Sequence, residues 1–262
     1  MDSPRSPYSE SFISGEHYAA YEYQIAKDFV IPLLNKWELD IDHIKILDLG
    51  CGGGGLIFAL SEGGSICTGI DHNLGLIKIA ANNASRNCHQ IKIIEGDILK
   101  LEGFEDKFDL IILSEVLEHL INLENVEKLF NWCKKQLLPN GRIYVSFPPW
   151  LNPYGGHQAG WRSIRYIPWF HLYPDVIKRF LVPSYAQSYI NFTRELNRLT
   201  ITSFERLLNE TRINIIKKEL YHLRPEFKFR YGVPIIRAIS FLEQIPIVRE
   251  LSITGAFYLL GI

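Results

Sequence analysis

Hydrophobic positions follow two alternating patterns between residues 44 and 147. Short, nearly continuous apolar runs have the length of buried strands, at residues 44–49, 65–70, 91–95, 108–113 and 142–147. Between these runs, apolar residues recur every three or four positions, which predicts helices that include residues 74–86 and 123–136. Strands that alternate with helices in this way predict a parallel, doubly wound α/β sheet.

The same patterns extend the prediction on both sides of this region. Helical spacing predicts a long N-terminal helix over residues 15–37, and strands at 213–221 and 251–260 would bring the mostly parallel sheet to seven strands. A helix in front of the first strand either covers a ligand cleft or packs its tyrosines on the sheet. Residues 1–14 are polar and contain prolines, so we expect a flexible tail before a single domain over residues 15–262.

Composition narrows the function classes without selecting one. The 262 residues are 47% apolar and 22% charged, as in ordinary globular proteins, and the formal net charge of −1 makes nucleic acid an unlikely partner. The four cysteines lie singly, so neither a disulfide framework nor a zinc ribbon is expected. Because the sequence shows neither a signal peptide nor an apolar run of membrane-spanning length, we expect a cytoplasmic protein.

A glycine-rich turn follows the first predicted strand, with five glycines among residues 50–55. Glycines there let backbone N–H groups approach a bound ligand, and Asp71 at the end of the next strand suits a ribose diol. The spacing loosely satisfies the G-x-G-x-x-G pattern of nicotinamide dinucleotide sites. However, Asp48 stands two residues before the first glycine, and its carboxylate favours a ligand with an ammonium group over one with a pyrophosphate.

The segment from Asp48 to Gly54 reads D-x-G-x-G-x-G and resembles motif I of the class I S-adenosylmethionine (SAM) methyltransferases. The turn Leu138–Gly141 that leads into the fifth strand is also similar to that family. The resemblance implies SAM as the cofactor. It also implies an acid after the third strand that accepts a hydrogen bond from the adenine amino group, where this chain has Asp97; the alternative is that Asp97 caps a turn. The candidate cofactor-binding residues are Asp48, Gly50, Gly52, Gly54, Asp71, Asp97 and Ser114.

A second group of candidate residues follows the fourth strand, where Glu115, Glu118 and His119 form an E-x-x-E-H sequence. If a helix begins at Glu115, these residues share one face, and His157 after the fifth strand could approach them. Two carboxylates and two imidazoles suit a divalent metal such as Mg²⁺, Mn²⁺ or Zn²⁺. The pattern resembles that of the O-methyltransferases of ubiquinone synthesis and of the small-RNA 2′-O-methyltransferases, in which a metal holds the acceptor oxygens.

Two other interpretations of these residues stay open. Glu118 and His119 resemble residues that serve as local hydrogen-bonding or capping groups in small-molecule methyltransferases without a metal. His157 has a separate case as a general base, because a neutral imidazole near an acceptor hydroxyl can take its proton as the methyl group arrives. The candidate catalytic residues are therefore His157 and His119.

Two segments match nothing in this resemblance. Residues 148–198 replace what is usually a short loop, and they crowd prolines, tryptophans and tyrosines together with basic residues, which is typical of a lid. The alternative is a structural helical insertion, and we expect Ile177, Phe180 and Leu181 to pack inward in either case. Such a composition suits a hydrophobic or anionic substrate, or peripheral contact with a membrane surface. Residues 222–250 form a second predicted insertion.

The sequence predicts a SAM-dependent methyltransferase that acts on an oxygen of a small-molecule acceptor, with a lipid-like acceptor as one hypothesis. No N-P-P-[YF] motif follows the fourth strand, which disfavours methylation of a nucleic-acid amino group. Three alternatives stay open: a metal-assisted RNA 2′-O-methyltransferase, a non-catalytic SAM-binding subunit, and a nicotinamide enzyme.

Overall fold

The computed structural model describes residues 15–86, 90–101, 104–161 and 163–262. The expected flexible tail, residues 1–14, lies outside the described residues. The strands are β1 (Lys45–Leu49), β2 (Ile66–Asp71), β3 (Ile91–Glu95), β4 (Phe108–Ser114), β5 (Leu137–Phe147), β6 (Asn214–Leu223), β7 (Ile236–Arg237) and β8 (Gly255–Gly261). They form one sheet in the order β3-β2-β1-β4-β5-β8-β6-β7.

Strands β1 to β5 pair in parallel, as the alternation of strands and helices predicted. Strand β8 lies between β5 and β6 and is antiparallel to both. The mostly parallel, doubly wound sheet is therefore confirmed, with eight described strands in place of the predicted seven. The extra strand β7 has two exposed residues, too few for a periodic signal. Residues 251 and 252 end a helix and do not belong to the last strand.

The helices lie between and after these strands. They are α1 (Gly15–Ile25), α2 (Ile31–Lys36), α3 (Gly55–Ser61), α4 (Leu74–Arg86), α5 (Leu123–Gln136), α6 (Asp175–Leu181), α7 (Ala186–Glu195), α8 (Ile201–Glu210), α9 (Pro225–Tyr231), α10 (Ser240–Glu243) and α11 (Pro246–Ser252). A π-helical turn, Ala26–Val30, joins α1 to α2, so the predicted N-terminal helix changes its winding just before Pro32. Pro32 lies in a continuous helical run, and the wider π-helical turn just before it accommodates a residue that has no N–H to donate.

The core lies on both faces of the sheet, because successive side chains of a strand point in opposite directions. Leu47 and Leu49 join the cluster that packs under α5 and α8, whereas Ile46 joins the cluster under α1, α2 and α3. Each such fully buried aliphatic side chain stabilises the fold by about 1.5–3 kcal/mol. Gly55 permits the close approach of α1 to α3, since a Cβ there would lie 2.1 Å from the Ala19 carbonyl oxygen.

The segment 148–198, which we call the lid, is folded and has a small hydrophobic core of its own. That core consists of Ile164, Phe170, Val182, Ala186, Tyr189 and Ile190. Its helices α6 and α7 follow two short 3₁₀ turns. In the part of the chain that the structure describes, no helix is long and apolar enough to cross a membrane.

Candidate active site

The carboxyl ends of the parallel strands open into one cavity of about 890 Å³, where ligands bind in open α/β sheets. Six of the seven predicted cofactor-binding residues line this cavity. The seventh, Gly54, lies behind the glycine turn as the N-cap of α3. The remaining walls come from α1, the lid and α9. Helix α1 therefore covers the cavity, which was one of its two predicted roles.

The glycine turn is held in a conformation that other residues rarely adopt. Gly50, Gly52 and Gly54 all have a positive φ, which costs glycine little because it has no Cβ. The Gly52 N–H donates a hydrogen bond to Asp71 Oδ2 at 2.9 Å. A Cβ on Gly52 would also lie 3.3 Å from Glu22 Oε1. The turn therefore ties the end of β2 to the end of β1 and leaves its backbone on the cavity wall.

Three carboxylates surround this turn, from Glu22 on α1, Asp48 on β1 and Asp71 on β2. Burial and the nearby charge of Asp71 raise the pKa of Asp48 to about 7. Burial, followed by the charge of Asp48, raises the pKa of Glu22 well above its ordinary value. Glu22 Oε2 has no hydrogen-bond partner among the described residues. A bound cation would relieve this crowding of negative charge.

Sequence reasoning missed Glu22 as a site residue. Its signal was an acid on the face of the N-terminal helix that otherwise carries Tyr18, Ile25 and Phe29. A charged side chain on a predicted core-facing stripe is unusual unless it has a partner or a ligand.

Asp97 and Ser114 also lie on the cavity wall, each with a local partner. Asp97 accepts a hydrogen bond from the Leu99 N–H at 3.0 Å and pairs with Lys100 Nζ at 3.0 Å. This is the turn-capping arrangement, which was the alternative to adenine binding, although the side chain remains 43% exposed. The Ser114 hydroxyl lies 3.0 Å from the Ser146 hydroxyl.

Glu118, His119 and His157 converge at the other end of the cavity. One ligand atom from each residue can be chosen so that all lie within 4.8 Å of one another. The distance from His157 Nε2 to Glu118 Oε1 is 4.0 Å. Glu118 is buried, and neither of its carboxylate oxygens has a hydrogen-bond partner among the described residues. A carboxylate with two imidazoles is a donor set that divalent transition metals accept.

Glu115 does not join this group, and the helix expected to begin at this residue is absent. Its backbone has a φ of 56°, and the helical turn that follows it is a short 3₁₀ segment, Leu117–His119. The chain turns here because the Glu115 N–H bonds to the Ser146 carbonyl and prolongs the β4–β5 ladder. The Glu115 carboxylate instead meets Arg224, with Oε2 and Nη1 2.6 Å apart. The predicted common face of Glu115, Glu118 and His119 was therefore wrong.

The two histidines of this group are held neutral. Burial, with the neighbouring His119, lowers the pKa of His157 well below its ordinary value. Desolvation within the cavity likewise lowers the pKa of His119 to about 4, although part of its side chain is open to solvent. Burial and the charge of Glu115 raise the pKa of the Glu118 carboxyl. At neutral pH both imidazoles can therefore accept a proton or bind a metal.

Residues 222–250 contribute arginine and aromatic side chains to one wall of the cavity. No sequence motif predicted this wall. Arg230 Nε donates a hydrogen bond to the Tyr21 hydroxyl at 3.1 Å, and its guanidinium lies 5.3 Å from the Tyr21 ring centroid. Tyr154 of the lid meets Phe227 of α9 edge-on, with ring centroids 5.5 Å apart. These contacts join α1, α9 and the lid around the cavity. The sequence signal for this wall was the basic composition of residues 222–250.

Part of the chain matches a known family model and several curated proteins. Residues 47–145 match the family model of a methyltransferase domain. The chain is 35% identical over 101 residues to the ubiquinone biosynthesis O-methyltransferase of Coxiella burnetii, a match that spans 38% of this chain and 42% of that protein. It is 34% identical over 136 residues to the phosphoethanolamine N-methyltransferase of Plasmodium falciparum, which spans 52% and 49%. The chain thus spans about half or less of these curated relatives.

A solved structure extends the likeness to the whole fold. An S-adenosylmethionine-dependent methyltransferase from Clostridium acetobutylicum superposes with a TM-score of 0.57 and 13% identity, over 92% of each chain. At that identity the likeness shows the fold. Residues 47–145 are the part of the chain that is similar in sequence to a methyltransferase domain.

Proposed function

We propose that this protein transfers the methyl group of SAM to an oxygen atom of a small-molecule acceptor. The observation that carries the proposal is one cavity with two chemically different ends. One end holds the buried carboxylates of Glu22, Asp48 and Asp71. The other holds the neutral imidazoles of His119 and His157. A cationic donor suits the first end, and a hydroxyl acceptor suits the second.

The carboxylate end fits SAM, because SAM carries an ammonium and a sulfonium group. In this proposal Asp48 and Glu22 face that positive charge, while the backbone at Gly50 and Gly52 borders the methionine portion. Asp71 accepts hydrogen bonds from the ribose hydroxyls. Gly54 acts indirectly, as the residue that starts α3.

The adenine of SAM would lie against the end of β3. Asp97 accepts from its amino group through the exposed part of the carboxylate, and Ser114 borders the cofactor from β4. SAM, when bound, supplies an electrophilic methyl group. The protein would then chiefly hold the acceptor oxygen in line with that methyl group, which is the main source of catalysis for such a displacement.

His157 is the proposed general base. Its neutral imidazole lies on the cavity wall and can take the hydroxyl proton as the oxygen becomes bonded to carbon. His119 packs against it, with ring centroids 5.3 Å apart. This contact fixes the position of His157 at the junction of lid and sheet.

A divalent metal is the alternative role of the same residues, because an imidazole nitrogen that binds a metal cannot also take a proton. Glu118, His119 and His157 would hold it, and the bare, buried oxygens of Glu118 support this assignment. The metal would supply Lewis-acid polarisation of the acceptor oxygen. We exclude Glu115 from the ligand set, because its carboxylate is engaged by Arg224. Glu115 instead helps to position Arg224 on the cavity wall.

The arginine and aromatic side of the cavity, which we call the acceptor wall, suits an aromatic or apolar molecule that carries a negative charge. Tyr21, Tyr154 and Phe227 offer ring faces and edges, and Arg230 offers a guanidinium group within the same cavity. The guanidinium of Arg224 is already paired with Glu115 and Glu226. Arginine favours carboxylate and phosphate because its N–H groups can bind two oxygens at once. A phenol with a carboxylate or phosphate substituent is therefore the acceptor class that we propose.

The proposal is tested by following a labelled methyl group from SAM to a panel of such phenols, with matched amines as the competing acceptors. We expect transfer to phenols, and its loss in Asp71→Asn. The matched control is Asp109→Asn, whose carboxylate also accepts a backbone N–H, from Lys45, but at the opposite end of the strands. Transfer to amines alone, or to no acceptor, would contradict the proposal.

A further inference from the structure

Helix α6 of the lid turns its apolar face to solvent. Val176 and Phe180 are 72% and 85% exposed, and Ile177 and Leu181 are 41% and 46% exposed. Residues 176, 177, 180 and 181 share one side of a helix, because they are spaced by one, four and five positions. We call these four residues the α6 surface. A surface helix normally buries such a stripe, so this helix is inverted.

The polar residue of the same helix lies inside. Lys178 is 5% exposed, and its Nζ lies 3.4 Å from Asp175 Oδ1. Arg194 of α7 binds the other oxygen of Asp175 at 2.8 Å. The pair of Lys178 with Asp175 lies within α6, whereas the pair of Asp175 with Arg194 joins α6 to α7. The buried side of α6 is therefore the side that carries Lys178.

The lid does not need the α6 surface for its own stability. Its hydrophobic core is filled by six other residues, from Ile164 to Ile190. Tyr166 and Leu172, earlier in the lid, are also exposed, at 74% and 43%. Singly exposed apolar residues are ordinary, but four on one short helix mark an interaction site.

The net charge of the lid indicates which partner the α6 surface binds. Residues 148–198 contain six lysines and arginines and two acids, a formal net charge of +4 in a chain whose total is −1. Arg179 on α6 and Arg198 after α7 are exposed, whereas Asp175 is neutralised by two basic partners. Apolar side chains with basic neighbours suit the interface of an anionic bilayer.

We propose that the α6 surface docks the protein on an anionic membrane, with Val176 and Phe180 entering the headgroup region and Arg179 meeting lipid phosphate. A second copy of the chain is the less favourable occupant. A symmetric dimer through α6 would place one positively charged lid against another, and like charges across an interface oppose association. Docking itself does not depend on methyl transfer.

The lid would connect the membrane to the active site. Phe192 of α7 packs edge-on against His157, with ring centroids 6.1 Å apart. Helix α7 also contacts α6. If the proposed function is correct, docking brings the acceptor wall close to apolar molecules in the bilayer. Among the proposed acceptors it therefore favours lipid-soluble phenols. This consequence rests on the proposed function.

The test is co-sedimentation of the full chain with phosphatidylcholine vesicles, with and without about 30% phosphatidylglycerol. We expect binding to the anionic vesicles, weakened about tenfold or more by the double variant Val176→Glu/Phe180→Glu. Ile66→Glu is the matched control, because Ile66 is 45% exposed at the far end of β2. It should bind as the unaltered chain does. Arg179→Ser should weaken binding about fivefold, and only to anionic vesicles.

Folding is checked separately by the thermal unfolding midpoint, which should not change because the altered side chains are exposed. If the glutamate variant unfolds, Val176→Ser/Phe180→Ser gives the same comparison without added charge. Equal vesicle binding by the variants, or no binding by the unaltered chain, overturns the proposal. A dimer that the double variant dissociates would assign the surface to a second copy. None of these outcomes requires SAM or an acceptor, so they leave the proposed function untouched.

Discussion

His157 Nε2 lies 4.0 Å from Glu118 Oε1 in a buried setting, although His157 belongs to the lid and Glu118 follows β4. The two side chains meet where the lid closes on the sheet. The Glu118 oxygens have no hydrogen-bond partners among the described residues, so the carboxylate contributes little to the stability of the free protein. Its presence is better explained by a ligand than by the fold.

Glu118→Gln should therefore remove a proposed metal ligand without weakening the fold. We expect the methyl-transfer rate to fall at least about tenfold and the remaining activity to become insensitive to chelator. The thermal unfolding midpoint should stay the same or rise, because a buried carboxyl is replaced by a neutral group. Glu124→Gln, an exposed partner of Lys128, is the control. A large drop in the midpoint would indicate a structural role instead.

His157→Gln should separate the chemical step from cofactor binding. Loss of the proposed base should lower kcat about 10²–10⁴-fold. The Kd for SAM should not change, because His157 lies at the acceptor end of the cavity. Single-turnover kinetics and calorimetry measure the two quantities, with exposed His43→Gln as the control. Equal losses of SAM affinity and rate would argue against a base.

SAM binding should depend on the ionisation of Asp48. The pKa of Asp48 is raised to about 7 in the free protein, and a cation must meet the ionised form. The Kd for SAM should therefore rise about tenfold for each pH unit below 7. Asp48→Asn should bind more weakly at pH 8 and lose this slope. An unchanged slope in the variant would assign the proton to another group.

The stability of the free protein should change with pH in the direction opposite to the affinity for SAM. Between the ordinary pKa of 3.8 and the folded value of about 7, the folded state holds a proton on Asp48 that the unfolded state releases. The free energy of unfolding should thus fall as pH rises through this window. Urea unfolding between pH 5 and about pH 7 measures the decline, which Asp48→Asn should reduce. A variant with the same decline would contradict the assigned burial.

Glu22 should contribute to the cofactor site although it lies outside the matched family region. Glu22→Gln should weaken SAM binding about tenfold, since a buried charge-assisted contact is worth roughly 1.5 kcal/mol or more. It should also stabilise the free protein, because the pKa of Glu22 is raised by burial. Glu16→Gln, on the exposed side of the same helix, is the control. If the affinity for SAM is unchanged, α1 covers the cavity without binding the cofactor.

The sequence predicted those features that local pattern controls. The spacing of Asp48, the glycines and Asp71 placed them correctly at one edge of the sheet, because parallel strands end together there. Glu115 was misplaced, since a backbone hydrogen bond to Ser146 on the neighbouring strand overrides the local helical spacing. Such a contact between separate strands leaves no periodic signal in either segment.

The acceptor wall lay beyond sequence reasoning for a related reason. Arg230 and Tyr21 are joined only by the folding of α9 against α1. The inversion of α6 was equally hidden, because its apolar residues have the spacing of a buried face. Only the exposure of Phe180 and the burial of Lys178 reveal which side meets solvent.

The central claim is that the carboxylates around the glycine turn bind SAM. Calorimetric titration of the full chain with SAM and with NAD tests it most directly. We predict saturable binding of SAM at a stoichiometry of about one that Asp71→Asn weakens and Asp109→Asn does not, with no heat from NAD. Binding of NAD, or SAM binding that is indifferent to Asp71, would contradict the account.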